Sequence, residues 1–112
     1  MASKISFDEL FDTLTEQLAN LATLSLKKYT AEAKSDALQF LGEMKNKLTR
    51  WTVLLAQGDI TTEDFEWLVT SQKDLVKMNG LKQAGLAAIR VDQFKNNVMN
   101  MIVDTVFNFI KI

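Results

Sequence analysis

Apolar residues in the first half of the chain recur at helical spacing. Phe7, Phe11, Leu14, Leu18 and Leu21 open a stripe that continues through Ser25, Tyr29, Ala33, Ala37, Phe40, Met44, Leu48, Trp51 and Leu55 without losing phase. The steps average about 3.7 residues, close to the α-helical repeat, so the pattern predicts helix throughout. The start of the stripe is marked as well. Ser6 followed three residues later by Glu9 is a capping box, Ile5 is placed to staple onto Leu10, and Asp8, Glu9 and Asp12 lie where the helix dipole favours negative charge.

The pattern is interrupted at Gln57-Gly58-Asp59-Ile60. Gly58 stands where a helix ends on a left-handed glycine, Thr61 with Asp64 repeats the capping arrangement, and Ile60 with Phe65 repeats the staple. A reversal near 57–61 divides one domain, 1–112, into a first arm at 6–57 and a second at 61–111. In the second arm Phe65, Leu68, Val69, Leu75 and Val76 form the stripe, and Trp67 projects to its flank among Asp59, Glu63, Asp64 and Glu66. Signals for further breaks are weaker. Thr30 or Ser35 could cap a new helix, but neither has Glu or Gln three residues on. Asn79-Gly80-Leu81 has the form of a Schellman ending, with Val76 positioned to touch Leu81, although a mid-helix glycine costing about 1 kcal/mol reads equally well.

Two all-α architectures follow. With continuous arms, each is a helix of roughly 75 Å, and such a hairpin cannot cover its apolar faces alone. The chain is then a long antiparallel helical hairpin that completes a four-helix bundle by dimerisation. With breaks near 30 and 80, one chain makes its own up-down four-helix bundle. In a hairpin centred on Asp59, residues whose numbers sum to about 118 lie level, which sets Trp51 beside Trp67 and Phe11 beside Phe107. It also sets Ala31, Ala33 and Ala37 against Ala84, Gly85, Ala87 and Ala88. Small residues on both arms at one height permit close backbone approach, which favours the continuous arms.

From Val98 to Ile112 most of the helix circumference is apolar, with Asn97, Asn100, Asp104, Asn108 and Lys111 forming a narrow polar stripe. A helix of this kind is buried on more than one side, as a central bundle helix or a dimer interface. The candidate interface residues are Trp67, Met99, Val103, Val106, Phe107 and Ile110. The same stripe admits an alternative, an amphipathic lipid-binding or membrane-perturbing helix. Its polar face offers only Lys111 against Asp104, so attraction to anionic lipid is weak and a membrane role is not favoured.

Composition narrows the chemistry. The chain has no proline, cysteine or histidine, which excludes zinc fingers, thiol catalysis, histidine triads and haem held by histidine or cysteine. Its remaining carboxylates, lysines and Tyr29 form no recognisable paired arrangement. Lysine plus arginine number 13 against 14 acids, and only Arg50 and Arg90 are arginine, so nucleic acid is not an expected partner. Charges fall in blocks, acidic at 8–16 and 59–66 and basic at 27–50 and, mildly, at 73–95. The expectation is a non-enzymatic helical interaction or structural module, working without a cofactor as a homo-oligomer, most simply a dimer, with a protein partner possible. The first residues lack the apolar core of a secretory signal and no stretch is apolar enough to span a bilayer, so the expected location is cytoplasmic.

Overall fold

The Ser6 hydroxyl accepts the Glu9 N–H at 3.4 Å and opens helix α1, Phe7–Ser25, in this computed structural model, which describes residues 6–110. The expected staple by Ile5 and the end of the second arm at 111 lie outside the described residues. Helix α1 buries Leu10, Leu14, Leu18 and Ala22, and Leu26 continues the series just past its end. A strict four-residue spacing swings around the helix by about 40° per step. The buried face therefore widens, and Phe7, Phe11 and Leu21 pack half-buried along it.

At Leu26 the backbone leaves the helix (φ −134°, ψ 68°), makes one 3-10 turn at Lys27–Tyr29 and enters α2, Thr30–Ala56. The Thr30 hydroxyl does not cap an N–H. It donates to the Leu26 and Lys27 carbonyls at 3.2 Å each, and the Leu26 carbonyl also accepts the Tyr29 N–H at 2.9 Å. The first arm is thus two helices and not one. A continuous stripe needs Ser25 and Tyr29 as core positions, but both are only half-buried, and no residue between Leu26 and Ala33 is buried. A helix running straight through that stretch has nothing to bury. Instead α1 folds back on α2, with the Lys45 ammonium 5.5 Å from the centre of the Phe11 ring.

Helix α2 follows its sequence pattern closely: Ala33, Ala37, Phe40, Met44, Leu48, Trp51 and Leu55 are all buried. It ends as its glycine predicts. Gly58 is left-handed (φ 81°), its N–H donates to the Leu55 carbonyl at 3.1 Å and the Asp59 N–H to the Leu54 carbonyl at 2.9 Å, a Schellman motif. Thr61 and Asp64 then exchange side-chain-to-backbone bonds, each 3.0 Å, to start α3, Thr62–Thr70.

The third limb is broken. After α3 come a 3-10 turn at Lys73–Leu75 and a short helix α4, Asn79–Gln83. Gly80 does not end a helix here; it lies in the first turn of α4. The Schellman ending falls at Gly85 (φ 92°), whose N–H donates to the Lys82 carbonyl while the Leu86 N–H reaches the Leu81 carbonyl, both at 3.1 Å. Leu81 and Leu86 are both buried at this turn, the apolar pairing that accompanies the motif. Helix α5, Ala88–Ile110, then returns along α1 and α3, and its Phe107 ring lies 5.7 Å from that of Phe65.

The four limbs run up, down, up and down, a helical bundle with breaks close to the two positions of the single-chain alternative. The longest dimension is 49 Å, which leaves no room for a 75 Å arm. Ala31, Ala84, Gly85, Ala87 and Ala88 are exposed, so the expected seam of small residues between the arms does not form, although Ala33 and Ala37 are core. The register about Asp59 does hold where the second and third limbs meet: Lys47 Nζ donates to Gln72 Oε1 at 3.0 Å, and Asp36 reaches Gly80 and Leu81. Because each arm folds over, one chain covers its own apolar faces. The reason for requiring a second copy to complete the core is thereby removed.

Thr52 lies wholly buried in α2, and its hydroxyl has no hydrogen-bond partner among the described residues. An unsatisfied buried hydroxyl costs about 1–3 kcal/mol, and valine has nearly the same shape. Thr52→Val is expected to raise stability by about 1 kcal/mol, seen as a higher urea midpoint at unchanged slope.

Candidate interaction surface

The structure separates the six candidate interface residues. Met99, Val103 and Val106 are buried against the other limbs of the same chain, so they offer no surface to a partner or a lipid. Phe107 is half-buried against Phe65, and Ile110 is half-buried at the end of α5. The narrow polar stripe of this helix correctly marks burial on more than one side, but the burying surface is internal. Among the described residues no helix is long and apolar enough to cross a membrane.

Trp67 stands apart from the other five. Helical geometry sets it opposite Phe65 and Val69, which fill the core beneath α3, and its side chain is 68% exposed. One turn back on its face are Glu63 and Asp64, both exposed, as are Asp59 and Glu66. No lysine or arginine occurs between Trp51 and Gln72. An indole this open in an apron of carboxylates contributes nothing to the core and is a costly surface to leave to water. Trp51, by contrast, is core, as its place on the stripe indicates.

The opposite end of the bundle has the opposite charge. The bend at 26–29 and the start of α5 meet there around an open cleft of about 310 Å³, bordered by Leu24, Lys27, Lys28, Tyr29 and Arg90. Leu24 is 76% exposed and Ile89, beside Arg90, is 69% exposed. No acid borders the cleft itself, and the nearest in sequence are Glu32, in the first turn of α2, and Asp92 on α5. The sequence hides this cluster, because residues 27 and 90 meet only once both arms fold over. The Lys27-Lys28 pair, flanked by Leu24 and Tyr29, is the one local signal.

A third candidate is the cleft of about 260 Å³ beside the break in the third limb, bordered by Asp36, Gln39, Glu43, Lys77 and Asn79. Its buried carboxylate, Asp36, is fully engaged. One oxygen accepts the Gly80 N–H at 3.0 Å and the other the Leu81 N–H at 2.8 Å. These are free donors of the first turn of α4, whose own N-cap position, Met78, has a left-handed backbone (φ 47°) and provides no side-chain cap. Asp36 therefore caps α4 from another helix, and its role is to position that helix. Gly80 is required by the same contact, since a β-carbon there would lie 2.8 Å from Asp36 Oδ1. Lys73 adds an outer tie, 3.0 Å from Asp92 on α5. Compared with known protein families, characterised proteins and solved structures, the chain matches none.

The Asp36 contact makes a testable pair. Asp36→Ala is expected to lower stability by about 2 kcal/mol, because it strands the buried Leu81 N–H and the half-buried Gly80 N–H, and Gly80→Ala by about 1–3 kcal/mol, because it pushes the carboxylate off them. In chemical denaturation the double variant should fall well short of the sum of the two losses, since the atom that a β-carbon at 80 would strike is then gone.

Proposed function

We propose that this chain is a non-enzymatic helical interaction module that works by associating with further copies of itself. The observation that carries the reading is Trp67, left 68% exposed by a fold that buries the chain's other tryptophan, Trp51. Tryptophan is the residue most enriched among those that dominate protein–protein contacts, and an exposed one beside charged neighbours has the anatomy of an anchor with a polar rim. Leu24 and Ile89, equally open at the other end, add a second uncovered apolar surface. The lack of histidine and cysteine agrees with a role exercised through surface complementarity.

The core is complete within one chain, so association on this reading is reversible and does not drive folding. Sedimentation velocity over a wide concentration range tests it. The expected result is a weight-average mass that climbs from the 12.7 kDa of one chain as concentration rises, with helicity unchanged. A 12.7 kDa species at every concentration and ionic strength would overturn the proposal.

A further inference from the structure

The two ends of the bundle are opposite in charge, and we infer that they bind each other between copies, so that Trp67 of one chain enters the basic cleft of the next. This inference rests on the self-association proposed above and names its surfaces. The entering side chain is a single exposed indole bordered by Asp59, Glu63, Asp64 and Glu66. The receiving cleft, about 310 Å³, has room for one aromatic side chain and is bordered by Leu24, Tyr29 and three cations, Lys27, Lys28 and Arg90. An indole face beside a guanidinium or ammonium is the arrangement that aromatic–cation attraction favours, and Leu24 and Tyr29 supply apolar contact for its edge. The four acids around Trp67 then face the three bases around the cleft. With a net charge of −1 the whole chain is nearly neutral, so long-range repulsion between copies is small and the local pattern decides their orientation.

Joining unlike ends gives a heterologous contact. Each docked copy leaves a free tip and a free cleft, so growth continues beyond two chains unless a ring closes. A symmetric pairing of two Trp67 tips would instead set the two acidic aprons against each other. A protein partner other than a second copy would need to reproduce the basic cleft that this chain already carries.

Two surface variants separate the possibilities. Trp67→Ala removes the tip, and Lys28→Glu with Arg90→Glu reverses the cleft; all three side chains are exposed, so circular dichroism and thermal unfolding should match the parent. Each variant alone is expected to sediment as a monomer. Mixed in equal amounts, they should form a complex that stops at two chains, because the mixture contains one intact tip and one intact cleft per pair. Raising salt from 50 to 300 mM should weaken that complex about tenfold. Two results would overturn the pairing while leaving self-association standing: growth that survives in either variant, or a mixture that stays monomeric. A parent that is monomeric throughout would remove the parent proposal as well. If such a monomer bound vesicles of one part phosphatidylglycerol to three parts phosphatidylcholine, and Lys28→Glu with Arg90→Glu abolished the binding, the basic end would be a lipid contact and the inference would be wrong.

Discussion

Asp36 is a buried carboxylate whose two oxygens hold the backbone of a helix 44 and 45 residues further along the chain. Much of the bundle depends on that arrangement. The helix it caps, α4, has five residues, far too few to persist in water by itself. Once pinned to α2, α4 carries Leu81 into the core and brings the chain to Gly85, where the turn into α5 is made. The position of α5, and through it the burial of α1, follows. A charged group is well suited to this task, because hydrogen bonds to an ionised acceptor are about twice as strong as neutral ones. Gly80 leaves the carboxylate the space it occupies, since a β-carbon there would lie 2.8 Å from Asp36 Oδ1.

This arrangement explains why the second arm is hard to read from its sequence. Helix starts are recognised by a capping side chain a few residues away, as at Thr61 and Asp64. At α4 the cap comes from another limb, and the local residues Met78 and Asn79 announce nothing. Gly80 consequently reads as an ending, when its lack of a side chain serves the approach of Asp36. The true ending, at Gly85, lies inside a stretch whose apolar spacing is sparse, with Leu81 and Leu86 its only buried residues. The break at Leu26 has a different cause. It involves neither proline nor glycine, and arises because the residues that follow have no core to face.

Other features were legible. Every apolar position assigned to α2 from Ala33 to Leu55 is buried, because an uninterrupted helix carries its period faithfully over about six turns. The reversal at Gly58 and the place of Trp67 off the α3 stripe follow from rules that span fewer than five residues, but that Trp67 is left uncovered and not folded over Trp51 does not. The apolar breadth of α5 was also readable as deep burial, but its partner surface was not, since spacing alone does not say whether a face is covered by the same chain or another. Nor does it bring Lys27 next to Arg90, so the basic end emerges only with the tertiary fold.

The three reversals differ in where their instructions are kept. Those at Gly58 and Gly85 are encoded within six residues each, by glycines that take up the left-handed backbone without strain, and loops this short close with little entropic loss. The bend after Leu26 has no such local code and exists because α1 finds a surface to cover. In an unfolded chain the turn at Gly58 can therefore form before any packing is in place, whereas the one at Gly85 needs α4, which Asp36 of α2 holds. The bend takes its shape from the surface that α2 and α5 present to α1, so packing and not local sequence sets its geometry.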